Sequence, residues 1–95
     1  MQMPDVNILV FAHREGTENH STSAHWLTAM ATGREPFAFS ELVMHGFLRI
    51  VTNPRIFQPA SSMDDALTFL EQFLNLPHCT RIRPGTLHWE IFQNL

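Results

Sequence analysis

The sequence predicts an α/β domain with a parallel sheet. Short segments at residues 1–6, 36–39 and 79–82 read as strands, and the stretches between them carry helical spacing. Helix start and stop signals punctuate the joins: Asn7, Ser40 and Ser62 as caps, and Gly33, Pro54 and Pro77 as breakers. Ninety-five residues make one domain, 1–95, and a hydrophobic content of 44% suffices for a real core.

Residues 1–6 form the first candidate strand, with Pro4 confined to its start or an edge because it lacks an N–H. The run Ile8-Leu9-Val10-Phe11-Ala12 is too short and too uniformly apolar for periodicity to decide its type. With Asn7 as N-cap it becomes a helix over 8–14; a single strand over 6–11 is the alternative. After the polar turn at 15–19, Ala24, Leu27, Met30 and Ala31 share one helical face that Gly33 closes, with Trp26 at its shoulder.

Residues 36–39 form a buried strand. Ser40 caps the next helix, Glu41 lies in its first turn, and Val43, Phe47, Ile50 and Val51 point inward before Pro54 stops it. The Pro-bounded connection 53–59 leads to Ser62-Met63-Asp64-Asp65, a capping box with Asp in place of Glu. The following helix turns Ala66, Leu67, Leu70, Phe73 and Leu74 to the core. A weak strand at 79–82 precedes a Pro84-Gly85 turn, and a last helix from near Thr86 aligns His88, Ile91, Phe92 and Leu95. Leu95 lies on that helix's apolar stripe with no stop signal, so the domain is expected to be incomplete at its C-terminus.

A net charge of −3 gives no general attraction to nucleic acid or anionic membrane, so a polyanion would have to meet a local patch. All six basic residues are Arg, which fits GC-rich codon usage or selection for bidentate phosphate contacts. The single Cys79 excludes an internal disulfide and fits a reducing cytoplasm. There is no signal-peptide pattern and no apolar run near the roughly 20 residues that span a bilayer. The expectation is a soluble cytoplasmic domain without a membrane partner.

Ligands of open α/β sheets bind beyond the carboxyl ends of the strands. Asp5 ends the first strand and Glu41 follows the second, with Asn7 and Ser40 as polar neighbours. Neighbouring strands would bring the two carboxylates together as an oxygen-rich site for Mg²⁺ or Mn²⁺, able to activate water against a phosphodiester. Separately, Asp5 is a turn cap and Glu41 a first-turn residue favoured by the helix dipole. Glu41, His45 and Arg49 share a helical stripe, which is either a phosphate-meeting face or a solvated one. Arg14 closes the opening apolar run, facing either the site or solvent. The six histidines have no zinc spacing, Cys79 and His78 are adjacent on a strand and point apart, and no nucleophile elbow surrounds any Ser.

In order, Pro4-Asp5-Val6-Asn7-Ile8-Leu9-Val10-Phe11-Ala12-His13-Arg14, Ser40-Glu41-Leu42-Val43 and Gly46-Phe47-Leu48-Arg49-Ile50-Val51-Thr52-Asn53-Pro54-Arg55-Ile56-Phe57 resemble the PIN-domain ribonuclease toxins of the VapC type. Pro84-Gly85-Thr86-Leu87-His88-Trp89 resembles one branch of them. The resemblance implies a three-layer α/β/α sandwich and a Mg²⁺- or Mn²⁺-dependent endoribonuclease cutting tRNA or rRNA. It also implies a VapB-like antitoxin, and a homodimer is expected besides. Asp5 and Glu41 match the first two family acids as catalytic metal ligands, and Asn7, Ser40, Arg14 and Arg49 stand as supporting or substrate-contacting residues. The family's further acids follow the helix that begins near Thr86, and Asp64, Asp65, Glu71 and Glu90 lie outside those positions. A second expected function is therefore an antitoxin-binding or dimerisation module of low catalytic power.

Overall fold

The computed structural model describes residues 1–83. Its elements run α1 (Val6–His13), α2 (His20–Thr32), β1 (Phe37–Ser40), α3 (Glu41–Val51), α4 (Met63–Leu74) and β2 (Cys79–Ile82). The Pro84-Gly85 turn and the helix expected from Thr86, with His88, Ile91, Phe92 and Leu95, lie outside the described residues.

Strands β1 and β2 pair in parallel with Phe37 opposite Cys79 and Ser40 opposite Ile82. On the other edge of β1, Gln2 forms a parallel bridge with Phe37, and the Ala38 N–H donates to the Gln2 carbonyl at 2.9 Å. The expected strand over 1–6 is thus one bridge long. The next ladder bond would run from the N–H of residue 4 to the Ala38 carbonyl, and Pro4 has none to give. The parallel α/β class is as the sequence predicts, and β1 is its centre.

The chain then enters α1 earlier than expected. Asp5, with extended backbone at φ −86° and ψ 174°, is the cap, and its Oδ1 accepts from the Ile8 N–H at 3.0 Å. Asn7 is not the cap; it sits exposed in the first turn. Asp and Asn cap about equally well, so the end of the strand decided between them. The single strand over 6–11 does not form. Helix α2 buries Leu27 and Met30 and stops at Gly33, as its periodicity predicts.

All four residues of β1 are buried, so both faces of the strand are covered. The largest fully buried side chains are Phe37, Phe39, Phe47, Leu9, Leu27 and Val51. A chain of aromatic contacts links the three phenylalanines across the elements. Phe37 meets Phe39 (ring centroids 5.9 Å apart), Phe39 meets Phe73 (5.5 Å), Phe73 meets Phe69 (5.4 Å) and Phe69 meets Phe47 (5.4 Å). Such offset and edge-on pairs each add about 0.5–1.5 kcal/mol beyond their burial.

In α3 the buried set is Met44, Phe47 and Val51, while Val43 and Ile50 are half-buried. In α4 it is Ala66, Leu70 and Phe73. Leu67, expected inward, is 39% exposed: it lies one residue off the Ala66–Leu70–Phe73 stripe and borders a groove instead. Ser62 caps α4 by accepting from the Asp65 N–H at 3.1 Å. No described helix is long and apolar enough to cross a membrane.

Phe47 has no exposed surface and joins α3 to α4 through Phe69. Phe47→Ala is expected to cost about 3–5 kcal/mol, comparable to a small domain's whole stability. Urea unfolding followed by circular dichroism measures this.

Candidate active site

The sheet register places two carboxylates at one end. Gln2 is level with Phe37 on neighbouring parallel segments. Asp5 follows Gln2 by three positions and Glu41 follows Phe37 by four, so both leave the carboxyl ends of adjacent strands. Each begins a helix: Asp5 caps α1 and Glu41 is the first residue of α3. The start of α1 lies close to α3, since a Cβ on Gly46 would stand 3.4 Å from Val6 Cγ2.

Asp5 is exposed, and the Ile8 N–H occupies one of its oxygens, leaving other lone pairs outward. Glu41 is partly buried; its Oε1 lies 3.8 Å from Arg83 Nε, whose side chain is 78% exposed. An ion pair so long and so wet contributes about 0–1 kcal/mol and gives way to a stronger cation. Ser40 ends β1 buried at the cap position of α3, but its hydroxyl makes no capping bond. Two carboxylates with open lone pairs fit a Mg²⁺ or Mn²⁺ ion that keeps most of its waters. Among the described residues, no group of three or more His, Cys, Asp or Glu forms a metal cluster.

Glu41 and His45 also border a groove of about 240 Å³ between α3 and α4, lined by Met44, Leu48, Leu67, Leu70 and Arg81. Arg81 and Arg83 stand two apart at the end of β2 and bring positive charge to the Glu41 side. Neither stood out in the sequence. Their alternation puts them on one face of a strand, but nothing in it says which helix that face meets.

The two arginines named as supporting or substrate-contacting residues stand away from the acids. Arg14 is the C-cap residue of α1 and Arg49 an exposed residue in the last turn of α3, each about 12–14 Å along its helix from Asp5 and Glu41 respectively. Arg49, exposed and about two turns from Glu41, keeps the solvated face as its setting. Arg14 is held by the connection between α3 and α4: Nη2 donates to the Pro59 carbonyl at 2.8 Å, Nη1 to Ser61 Oγ at 3.0 Å, and the guanidinium lies 4.5 Å from the Phe57 ring centroid.

His13 shares that junction. Its Nε2 is 2.9 Å from Ser61 Oγ, and its ring stands edge-on to Phe47 and Phe69. Burial is the main cause that lowers its pKa from the ordinary 6.5, the Arg14 cation adds to it, and Asp65 opposes. Burial pushes the Cys79 thiol up, with Arg81 opposing, so Cys79 is a protonated thiol at neutral pH and a poor nucleophile.

No family model matches the chain. Among characterised proteins it is similar to ribonuclease VapC43 of Mycobacterium tuberculosis, 38% identical over 91 residues that cover 96% of this chain and 62% of that protein. Ribonuclease VapC25 of the same organism is 37% identical over 95 residues, all of this chain and 67% of the relative. The chain thus spans somewhat under two thirds of the first relative and about two thirds of the second. Among solved structures, M. tuberculosis VapC20, described as a sarcin–ricin loop cleaving toxin, superposes with a TM-score of 0.65 over 98% of this chain and 65% of that one. At 12% identity that likeness establishes the fold.

Because the folded pKa of His13 lies below its unfolded value, the unfolded state takes up the proton first as pH falls. The stability that neutral His13 contributes is complete above pH 6.5 and is lost as pH drops through 6.5 toward the lower folded value. His13→Gln should therefore flatten the acid limb of the stability profile, measured by urea unfolding from about pH 7.5 to pH 5.

Proposed function

Since the chain belongs to the VapC family of ribonucleases, we propose that Asp5 and Glu41 are catalytic metal ligands of a divalent-metal-dependent endoribonuclease acting as the toxin of a toxin–antitoxin pair. The observation that carries the proposal is the parallel register that delivers both carboxylates to one end of the sheet. A Mg²⁺ or Mn²⁺ ion bound there supplies an activated water and offsets charge on the scissile phosphate. Asp5 and Glu41 hold the ion, and the cap bond to Ile8 fixes the rotamer of Asp5. Asn7, exposed beside Asp5, offers an amide to the RNA, and Ser40 supports Glu41 from the strand end.

Arg83, whose contact with Glu41 is long and exposed, and Arg81 would supply local cations to meet RNA phosphate in a chain of net charge −3. The reading extends to a tRNA or rRNA substrate, a VapB-like antitoxin, a homodimer and a cytoplasmic setting. A second reading, an antitoxin-binding module, is favoured by the groove that Leu67 leaves open between α3 and α4.

Asp5 has two roles that substitution separates. Asp5→Asn retains a good cap and should leave stability within about 0.5 kcal/mol, whereas Asp5→Ala costs about 0.5–2 kcal/mol. Both changes, and Glu41→Gln, should abolish Mg²⁺-dependent RNA cleavage and weaken Mn²⁺ binding. Cleavage unaffected by all three removes the assignment. Antitoxin capture by a chain that neither cleaves RNA nor binds Mn²⁺ selects the second reading.

A further inference from the structure

The ends of α1 and α3 opposite the carboxylates are joined through one residue. The Ser61 N–H donates to the carbonyl of Val51, the last residue of α3, at 2.8 Å. Ser61 Oγ accepts from Arg14 Nη1 at 3.0 Å and lies 2.9 Å from His13 Nε2, at the last residue of α1 and its C-cap. Arg14 is a donor only, so the Ser61 O–H remains free to donate to His13 Nε2 in the neutral tautomer that burial favours. Arg14 also grips the Pro59 carbonyl, closing the connection 53–61 over the end of α1.

Helix α1 has 8 residues and α3 has 11, lengths of about 12 and 16 Å. The helices pack together directly, and Gly46 of α3 admits Val6 at the acid end. Each is a short rod with a carboxylate at its N-terminal end and a bond to Ser61 at its C-terminal end. A tilt of either rod at Ser61 changes the separation of Asp5 and Glu41. Mg²⁺ tolerates little such change, because it requires near-octahedral oxygens at about 2.0–2.1 Å.

We propose that Ser61, tying His13 and Arg14 to Val51, is a positioning residue that sets the spacing of Asp5 and Glu41 from the far ends of their helices. The inference rests on the reading of those two acids as metal ligands. It accounts for a half-buried polar junction that touches neither acid, and it gives the connection 53–61 a role in the site.

The test is Mn²⁺ titration of the protein, read as paramagnetic broadening of the Asp5 and Glu41 amide resonances, at a temperature where every variant is folded. Ser61→Ala should weaken Mn²⁺ binding at least about threefold, less than the roughly 10- to 100-fold of direct outer-shell partners. Ser61→Thr, which keeps the hydroxyl, should restore it. Ala24→Gly in α2, which destabilises by a comparable amount away from both acids, should leave affinity unchanged. Should Ser61→Ala fail to fold, Arg14→Gln, which removes one donor to Ser61, should show a smaller loss in the same direction. Wild-type affinity in Ser61→Ala (or, where that variant does not fold, in Arg14→Gln), with loss in Asp5→Ala and Glu41→Ala, overturns the positioning role and leaves the metal-ligand reading standing. Wild-type affinity in Asp5→Ala and Glu41→Ala overturns that reading and this inference with it.

Discussion

Burial of β1 on both faces is the constraint from which the site follows. A buried strand must pair its backbone groups on both edges or leave them unsatisfied. Here the Phe37 N–H turns to His78 at 3.1 Å on one edge, and the Ala38 N–H turns to Gln2 at 2.9 Å on the other. Both partners run parallel to β1, so helices rather than hairpins must connect the segments. Parallel neighbours also end on the same side, which is why an acid after the first segment and an acid after the second meet one solvent face. The placement of the two acids is a consequence of strand direction before it is a matter of any other side chain.

The two acids are held by bonds of different kinds, and neither bond saturates them. Asp5 contributes one oxygen to the helix cap and retains acceptor capacity on the outside. Glu41 has a long contact with an exposed arginine, which restrains it little. A carboxylate sealed into a tight bidentate pair would have to be pulled from its partner before it could hold an ion. These two need only lose water and one weak contact.

Much of this was legible in the sequence, and the parts that were not share a reason. Gly33, Ser40, Ser62 and the apolar spacings mark their helices because those signals act within one or two turns. The choice of Asp5 over Asn7 as cap was hidden, because it depends on where the strand ends. That in turn depends on Pro4 falling where the ladder needs an N–H for the Ala38 carbonyl, a group more than thirty residues away. Arg81 and Arg83 were hidden because alternation pairs residues on a strand face without saying what faces them. The junction of His13, Arg14 and Ser61 joins positions 47 and 48 apart, and no local pattern encodes such a distance.

The length of α1 makes these long-range bonds decisive. Eight residues are too few to form a stable helix alone, since isolated helices shorter than about 12–15 residues are marginal in water. What keeps α1 in place is its ends and its buried face. Asp5 caps the first turn; the His20 ring Nδ1 and the Thr17 hydroxyl satisfy the Phe11 carbonyl; His13 and Arg14 bind Ser61; and Leu9 and Val10 sit in the core. The aromatic chain from β1 through Phe73 and Phe69 ends on the His13 ring, so one residue closes the apolar core and opens the polar junction. A helix held this way has no stable position of its own. The carboxylate at its start is held by a local cap bond, while the other end of the helix is held by bonds to Ser61 nearly fifty residues away.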